Sequence, residues 1–263
     1  MGDTDEYLLD NKDTAAGVRL DALAQLFDPV TQRHLSAIGI APGWRCWEVG
    51  AGGPAISAWM ASQVGPTGRV LATDLDLTWL GGDQPFDVLR HDVGAEPPPD
   101  AGFDLIHARL VLVHVPNREA ALAALVSALR PGGWLVLEDA DPGLQPLLCP
   151  DEAGPREALA NELRRGFRAL MSGRGVDLAF GRTLPRRLRE AGLTDVCADA
   201  FFPIASPACT VLEQATIAQV RTMLVDAGLA TEEQIERHLA NIADGTMDLS
   251  TSPLISAWGR RPA

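Results

Sequence analysis

Between residues 44 and 140, short apolar runs alternate with stretches of helical periodicity, and this alternation constrains the fold more than any other feature of the chain. Residues 45–49 (RCWEV) read as a strand and 55–64 (AISAWMASQV) as a helix. A second strand is expected at 69–74, a weak third at 86–89 and a fourth at 103–108. An amphipathic helix over 118–129 should stop at Arg130-Pro131-Gly132-Gly133, because proline cannot continue a helix and glycine suits its end. Residues 134–138 (WLVLE) supply a fifth strand. Strands that are apolar almost throughout and alternate with helices predict a parallel sheet covered on both faces.

The flanks differ. Helical patterns fill 17–27, roughly 30–38, 155–172 and 209–244, and a helix over 181–192 ends in glycine. Two late strands, 195–202 and 254–258, are expected to add an antiparallel edge to the sheet.

The 263 residues suffice for one elaborated α/β domain or a domain with an appendage. A formal net charge of −13 weighs against a nucleic-acid partner, which needs a clustered basic face. Lys12 is the only lysine. A phosphate loop ending in Gly-Lys is therefore excluded, and Schiff-base chemistry would depend on a polar position near the N-terminus. Cys46, Cys149, Cys197 and Cys209 lie far apart with no CxxC pair and no histidine cluster, so reduced thiols and no metal site are expected. The opening MGDTDEYLLDNKD has neither the basic start nor the apolar run of a secretion signal. No run of about 18 apolar residues occurs. A soluble, cytoplasmic protein without membrane contact is the expectation, and monomer and homodimer both remain open.

Glu48-Val49-Gly50-Ala51-Gly52-Gly53-Pro54-Ala55 follows the first strand and opens a helix. Small residues let the backbone turn tightly and approach a ligand, and a helix start presents free N–H groups. Pro54 suits a first helical position. By itself this describes only a tight strand-to-helix turn. Asp74 adds to it, ending the second strand 22 residues after Gly52. A carboxylate there faces the loop and can accept from both hydroxyls of a ribose. An adenosine site follows, but not which adenosine. Gly50-x-Gly52-x-x-Ala55 also fits the dinucleotide fingerprint, so an NAD-dependent oxidoreductase stays an alternative.

Three details point elsewhere. Glu48 sits two residues before the first glycine, where a carboxylate can support the loop or a ligand's ammonium group. His91-Asp92-Val93 follows the third strand and places an acid to accept from an adenine amino group. Phe103-Asp104-Leu105-Ile106 on strand four is matched by Leu129-Arg130-Pro131-Gly132-Gly133 before strand five. Together these resemble the class I S-adenosylmethionine-dependent methyltransferases. EVGAGG looks like their first motif, Thr73-Asp74 the ribose acid and His91-Asp92 the adenine acid. FDLIHARLVLVHV looks like the fourth-strand motif and LRPGGWLVLED the lead into strand five. The resemblance is strong over residues 35–140 and weak at 191–193 and 256–262. In pattern it is nearest to bacterial small-molecule methyltransferases, including natural-product enzymes. Pro54 departs from it, standing where the family commonly has a third glycine; cofactor binding should survive, since that position starts the helix.

The resemblance implies a Rossmann-like class I fold: a mostly parallel seven-stranded sheet, helices on both faces and a helical cap. It implies S-adenosylmethionine as cofactor and S-adenosylhomocysteine as product. Glu48, Gly50, Ala51 and Gly52 would hold it from the loop, with Asp74, Leu75, Asp92 and Val93 from the next two strand ends. Ala108 and Arg109 would flank its methionyl end. It also implies an N-terminal helical lid (1–35), a cofactor-binding core (36–141) and a helical acceptor-cap insertion (142–180). A core helix and late strand (181–208), a second cap insertion (209–248) and the final strand (249–263) complete the order.

Methyl transfer from a sulfonium is an in-line displacement with a donor already activated, so the enzyme mainly aligns and dries the reactants. A base is needed only when the nucleophile must lose a proton. His114, in LVHVPN after strand four, is one candidate, because an imidazole pKa of about 6.5 suits deprotonation of a hydroxyl or N–H. The same ring can simply tie the Val115-Pro116-Asn117 turn. His107 lies inside strand four, where a packed, hydrogen-bonded histidine is the plainer reading. Tyr7, the only tyrosine, sits on the segment expected to close over the cofactor. Glu138, Asp139 and Asp141 follow strand five and can meet a cationic acceptor or cap a turn. Arg164, Arg165 and Arg168 read as a solvated basic face. The expected activity is methylation of a small aromatic or heteroaromatic metabolite, with C-, N- and O-transfer undecided. Indole-type C-methylation asks least of a base. A protein that binds S-adenosylmethionine without transferring its methyl, a cyclase or binding module, is the other alternative.

Overall fold

The computed structural model describes residues 14–263. Its strands are β1 (Arg45–Val49), β2 (Arg69–Asp74), β3 (Asp87–Arg90), β4 (Phe103–Arg109), β5 (Leu129–Ala140), β6 (Thr194–Phe201) and β7 (Leu254–Arg260). They form one sheet in the order β3-β2-β1-β4-β5-β7-β6. β1 to β5 pair in parallel, and β7 runs antiparallel to both β5 and β6. This is the mostly parallel sheet with an antiparallel edge that the sequence predicts. Chain order reverses between β1 and β4, and ligands of such sheets bind beyond the carboxyl ends of the strands at that point.

Burial explains the strand pattern. In RCWEV four of five residues are buried, and Trp47 is fully so. The helix α2 (Ala55–Val64) buries Ile56, Met60 and Val64, one stripe at helical spacing. That stripe packs with Leu35, Cys46, Val70, Leu105 and Val136 into the core under the sheet.

Two expectations need correction. The N-terminal helices are one: α1 (Thr14–Ala37) runs unbroken through Asp28-Pro29. Proline in a helix interior costs about 3 kcal/mol or more, because it removes a backbone bond and crowds the preceding turn. Here Leu26, Phe27, Val30 and Leu35 are buried on either side of it, and Asp28, Thr31 and His34 are all tied by side-chain contacts. Tertiary fixation outweighs the local penalty. The fifth strand also begins at Leu129 rather than 134, and β7 extends to Arg260. Gly132 N donates to Arg261 O at 2.9 Å and Arg261 N to Gly133 O at 2.8 Å, so the antiparallel partner supplies bonds along the Pro-Gly-Gly stretch.

Two compact units result. The sheet unit comprises residues 27–140, 180–201 and 254–263, including α3 (Arg118–Ala128) and α5 (Leu184–Glu190). The described residues 14–26, 141–179 and 202–253 make a largely helical unit. There Leu159, Leu163 and Phe167 of α4 (Pro155–Gly173) pack with Ile217, Val220 and Leu224 of α6 (Pro207–Asp226) and Ile235 of α7 (Glu232–Ala243). Arg164 is not on a solvated face. Its side chain is 12% exposed and donates to Glu213 at 3.0 Å, with His238 Nε2 3.1 Å from the other carboxylate oxygen. These buried contacts tie α4, α6 and α7. Among the described residues no helix is long and apolar enough to cross a membrane. Cys46, Cys149 and Cys209 are buried, Cys197 is exposed, and all four are free thiols.

Candidate functional site

Residues 50–54 carry the chain from β1 into α2. Gly50 and Gly52 both have φ of +62°. A Cβ on Gly50 would lie 2.4 Å from Val111 Cγ2, so glycine is required for the backbone angle and for the close approach of the turn after β4. Ala51 N donates to Thr73 O at 3.0 Å and Gly52 N to Asp74 Oδ2 at 2.8 Å, which latches the loop to the end of β2. Asp74 is half-buried, and its other oxygen accepts from Asp76 N at 3.1 Å. Leu75 beside it is 55% exposed. Pro54 stands one place before the helix, and its carbonyl accepts the first helical bond from Ala58 N.

Neighbouring strand ends complete the rim. Asp92 Oδ1 accepts from Gly94 N at 2.8 Å, forming the turn that carries half-buried Val93. Ala108 is buried on β4 between Val49 and Leu137. Leu110 has φ of +59°, a conformation costing a non-glycine residue about 1–3 kcal/mol. Its N–H donates to Glu138 O at 2.8 Å, holding the turn that sets Val111 against Gly50.

Next to the loop runs a chain of ionisable groups, buried from Glu48 to His34 and reaching solvent at Asp199 and Arg33. Glu48 Oε2 lies 2.6 Å from His107 Nδ1, and the other ring nitrogen lies 3.3 Å from Glu138 Oε2. Glu138 also accepts from the Thr31 hydroxyl and, at 2.7 Å, from Ser256, and His34 Nδ1 sits 3.2 Å away. His34 Nε2 reaches Asp199 Oδ1 at 3.0 Å, and Asp199 Oδ2 pairs with Arg33 at 2.9 Å. Arg109 donates to Thr31 at 3.0 Å and to Asp28 at 2.7 Å. Burial disfavours a charged His107, but the Glu48 charge and hydrogen bonds to Glu138 and Glu48 outweigh it and raise its pKa to about 9. Burial alone would push Glu138 up; hydrogen bonds from His107 and His34, with the charges of His107 and Arg109, hold it well below the usual carboxylate range. His34 is raised too, its carboxylate partners overcoming burial.

Glu138, Asp139 and Asp141 do not form an open acidic cluster. Alternation along β5 sends Glu138 into the network and Asp139 to the opposite face. Asp141 Oδ1 caps a turn by accepting from Leu144 N at 2.9 Å. Among the described residues, Asp139 Oδ1 is buried and has no hydrogen-bond partner. Burial raises its pKa to about 8 against the Val113 N–H and the Arg118 charge. The folded chain then holds a proton that the unfolded chain, with a carboxyl near 3.8, releases, so this group's contribution to stability is lost as pH rises from about 4 to 8. Asp139→Asn should therefore raise the melting temperature at pH 7.5, by a few kcal/mol in stability terms, with the gain vanishing toward pH 4. Thermal melts across that range check this, and a gain independent of pH would contradict it.

The structure brings Glu48, Gly50, Ala51, Gly52, Asp74, Ala108 and Arg109 together at the switch point of the sheet. His107 is fully buried with both ring nitrogens engaged, so neither is available to an acceptor. His114 is exposed on the short turn at Leu112–His114. Tyr7 lies outside the described residues. Thr31, His34, Asp199 and Ser256 were not foreseen. The one available signal was Asp28, Thr31 and His34 at three-residue spacing on a helix, which shares a face.

A family model described as a methyltransferase domain matches residues 21–198. The chain belongs to the class I S-adenosylmethionine-dependent methyltransferase family. The chain is 30% identical over 180 residues to Methyltransferase str2 of Strobilurus tenacellus, a match covering 65% of this chain and 61% of the relative. Over 122 residues it is 35% identical to the ubiquinone/menaquinone biosynthesis C-methyltransferase UbiE of Ectopseudomonas mendocina, covering 42% of this chain and 47% of UbiE. The chain thus spans roughly half to three-fifths of the length of these relatives. Haemonchus contortus phosphoethanolamine N-methyltransferase 2, solved with phosphomonomethylethanolamine and S-adenosylhomocysteine, superposes with a TM-score of 0.59 at 14% identity, covering 100% of this chain and 61% of that one. YcgJ of Bacillus subtilis superposes with a TM-score of 0.55 at 14% identity, covering 88% of the methyltransferase and 97% of YcgJ. Both likenesses concern the fold, which is Rossmann-like and of class I.

Proposed function

We propose that this methyltransferase moves the methyl group of S-adenosylmethionine to a small organic acceptor, preferentially one with an aromatic or heteroaromatic ring. The latch of Gly52 on Asp74 carries the reading, because it fixes a half-buried carboxylate beside a loop that tolerates no side chain at Gly50. The residues present suit the donor. Gly50 lets the loop turn tightly against Val111 with no side chain between them, and the acids Glu48, Asp74 and Asp92 match a cationic, ribose- and adenine-bearing group. When bound, the donor supplies a methyl already activated on a sulfonium.

Asp74 would hold the ribose hydroxyls and Asp92 the adenine amino group, with Leu75 and Val93 as apolar neighbours of the base. Glu48 would take the ammonium group, and the N–H groups at Ala51 and Gly52 stay committed to fixing the loop. Ala108 and Arg109 would flank the methionyl end. The protein's chief contribution is alignment in a dry site. His114 would accept a proton where the nucleophile is a hydroxyl or N–H; Tyr7 would help shape the acceptor site.

The acidic surface weighs against a polyanionic acceptor, and the C-methyltransferase UbiE among the relatives favours carbon as the accepting atom. The test is incubation with donor carrying an isotopically labelled methyl and a panel of phenols, indoles, quinols and amines. A labelled product is expected, formed with one S-adenosylhomocysteine per methyl. A product without the label, from an intact donor pool, would contradict the proposal.

A further inference from the structure

We infer that His107 is a positioning residue: bridging Glu48 on β1 and Glu138 on β5, it fixes the carboxylate that the donor's ammonium group would use. The inference rests on the donor-binding reading above and deepens it. Both ring nitrogens face carboxylate oxygens, at 2.6 Å and 3.3 Å. A neutral imidazole carries one N–H and can donate to only one of them; the imidazolium donates to both. A neutral ring would leave two buried carboxylates separated by one proton, an arrangement that burial penalises heavily.

The surroundings agree. Glu48 faces the ring from β1, Glu138 from β5, and Thr31 and His34 reach Glu138 from α1. Ser256 of β7 also donates to Glu138, Asp199 of β6 answers His34, and Arg109 on β4 itself is matched by Asp28. The carboxylates Glu48, Glu138, Asp199 and Asp28 thus balance His107, His34, Arg33 and Arg109 when both histidines are charged. His107 is fully buried and Glu48 nearly so, which shields their contact from solvent. Glu48 lies two residues before Gly50, so the ring's hold on Oε2 fixes the carboxylate at the foot of the loop.

A merely structural histidine and a positioning one differ in which ligands they affect. Calorimetric titration of wild type and His107→Gln with S-adenosylhomocysteine and with 5′-methylthioadenosine separates them, since the second ligand has the adenosine but no ammonium group. The variant should bind S-adenosylhomocysteine about tenfold or more weakly, the scale of one charge-assisted hydrogen bond. Its affinity for 5′-methylthioadenosine should stay within about twofold. Equal losses for both ligands, or none for either, overturn the inference. If His107→Gln does not fold, Glu48→Gln in the same two titrations and nitrogen NMR of wild type decide. The ring should be doubly protonated at pH 7.5, and a neutral ring overturns the inference. A wild type that binds neither ligand removes the donor reading and this inference with it; a wild type that binds both, with an indifferent variant, removes this inference alone.

Discussion

Glu138→Ala should cost about 3–5 kcal/mol of stability, the loss typical of breaking a buried ion pair by removing one partner. Glu138 is fully buried and faces His107, His34, Thr31 and Ser256 at once. Its removal leaves the Thr31 and Ser256 hydroxyls without their acceptor and takes from each imidazolium one of its carboxylates. Against a usual total of about 5–15 kcal/mol this is a large fraction. In a chain of this size it corresponds to a melting temperature lower by about 10 °C or more. The pH dependence carries a sign. Glu138 has a depressed folded pKa, so its contribution is present above its unfolded value of 4.5 and lost as acid titrates it. His107 has a raised folded pKa, so its contribution is complete below its unfolded value of 6.5 and lost as pH rises through about 9. The gap between wild type and variant should be widest between those unfolded values and narrow on both sides. Thermal melts at pH 5.5 and 9.5 check it, with Glu138→Gln as the milder comparison. An unchanged melting temperature would mean that the network adds nothing to the fold.

Gly50→Ala should abolish donor binding with a smaller effect on folding. The added carbon meets Val111 Cγ2 at 2.4 Å, and the backbone there has a φ of +62°. Either Val111 moves, disturbing the Leu110 turn that Glu138 O holds, or the loop lifts away from Asp74. The second breaks the latch, and the first unseats the turn that packs against the loop. A loss of about a hundredfold or more in affinity is expected, equivalent to roughly 3 kcal/mol. Stability should fall by about 1–3 kcal/mol, the cost of a strained residue in the left-handed region. Titration calorimetry paired with a melt separates the two effects. A variant that binds as wild type would show that the loop is only a turn.

Most of the parallel strands were legible because their runs are mainly apolar, with β3 (Asp87–Arg90) short, exposed and weak, and the loop because glycine at 50 and 52 and an acid at 74 have few other uses together. What was hidden is of another kind. Arg164 reads as surface from its arginine neighbours at 165 and 168, yet a partner 49 residues away draws it inward. Glu138 looks like the end of a strand until β7 extends the pairing and buries it. The network joins residues 28, 31, 34, 48, 107, 138, 199 and 256, and beyond the helical spacing of 28, 31 and 34 no local pattern relates these positions. The helical patterns at 17–27 and 30–38 read as separate, and the tertiary contacts that carry one helix through Pro29 are not visible in sequence.

The adenosine site admits two donors on sequence alone, so the decisive measurement is calorimetric titration of the wild-type protein with S-adenosylmethionine and, separately, with NADH. One S-adenosylmethionine per chain should bind with a dissociation constant in roughly the micromolar to submillimolar range, within the span usual for enzyme substrates, while NADH gives no saturable heat. Saturable binding of NADH with none of S-adenosylmethionine would contradict the methyl-transfer reading of the site.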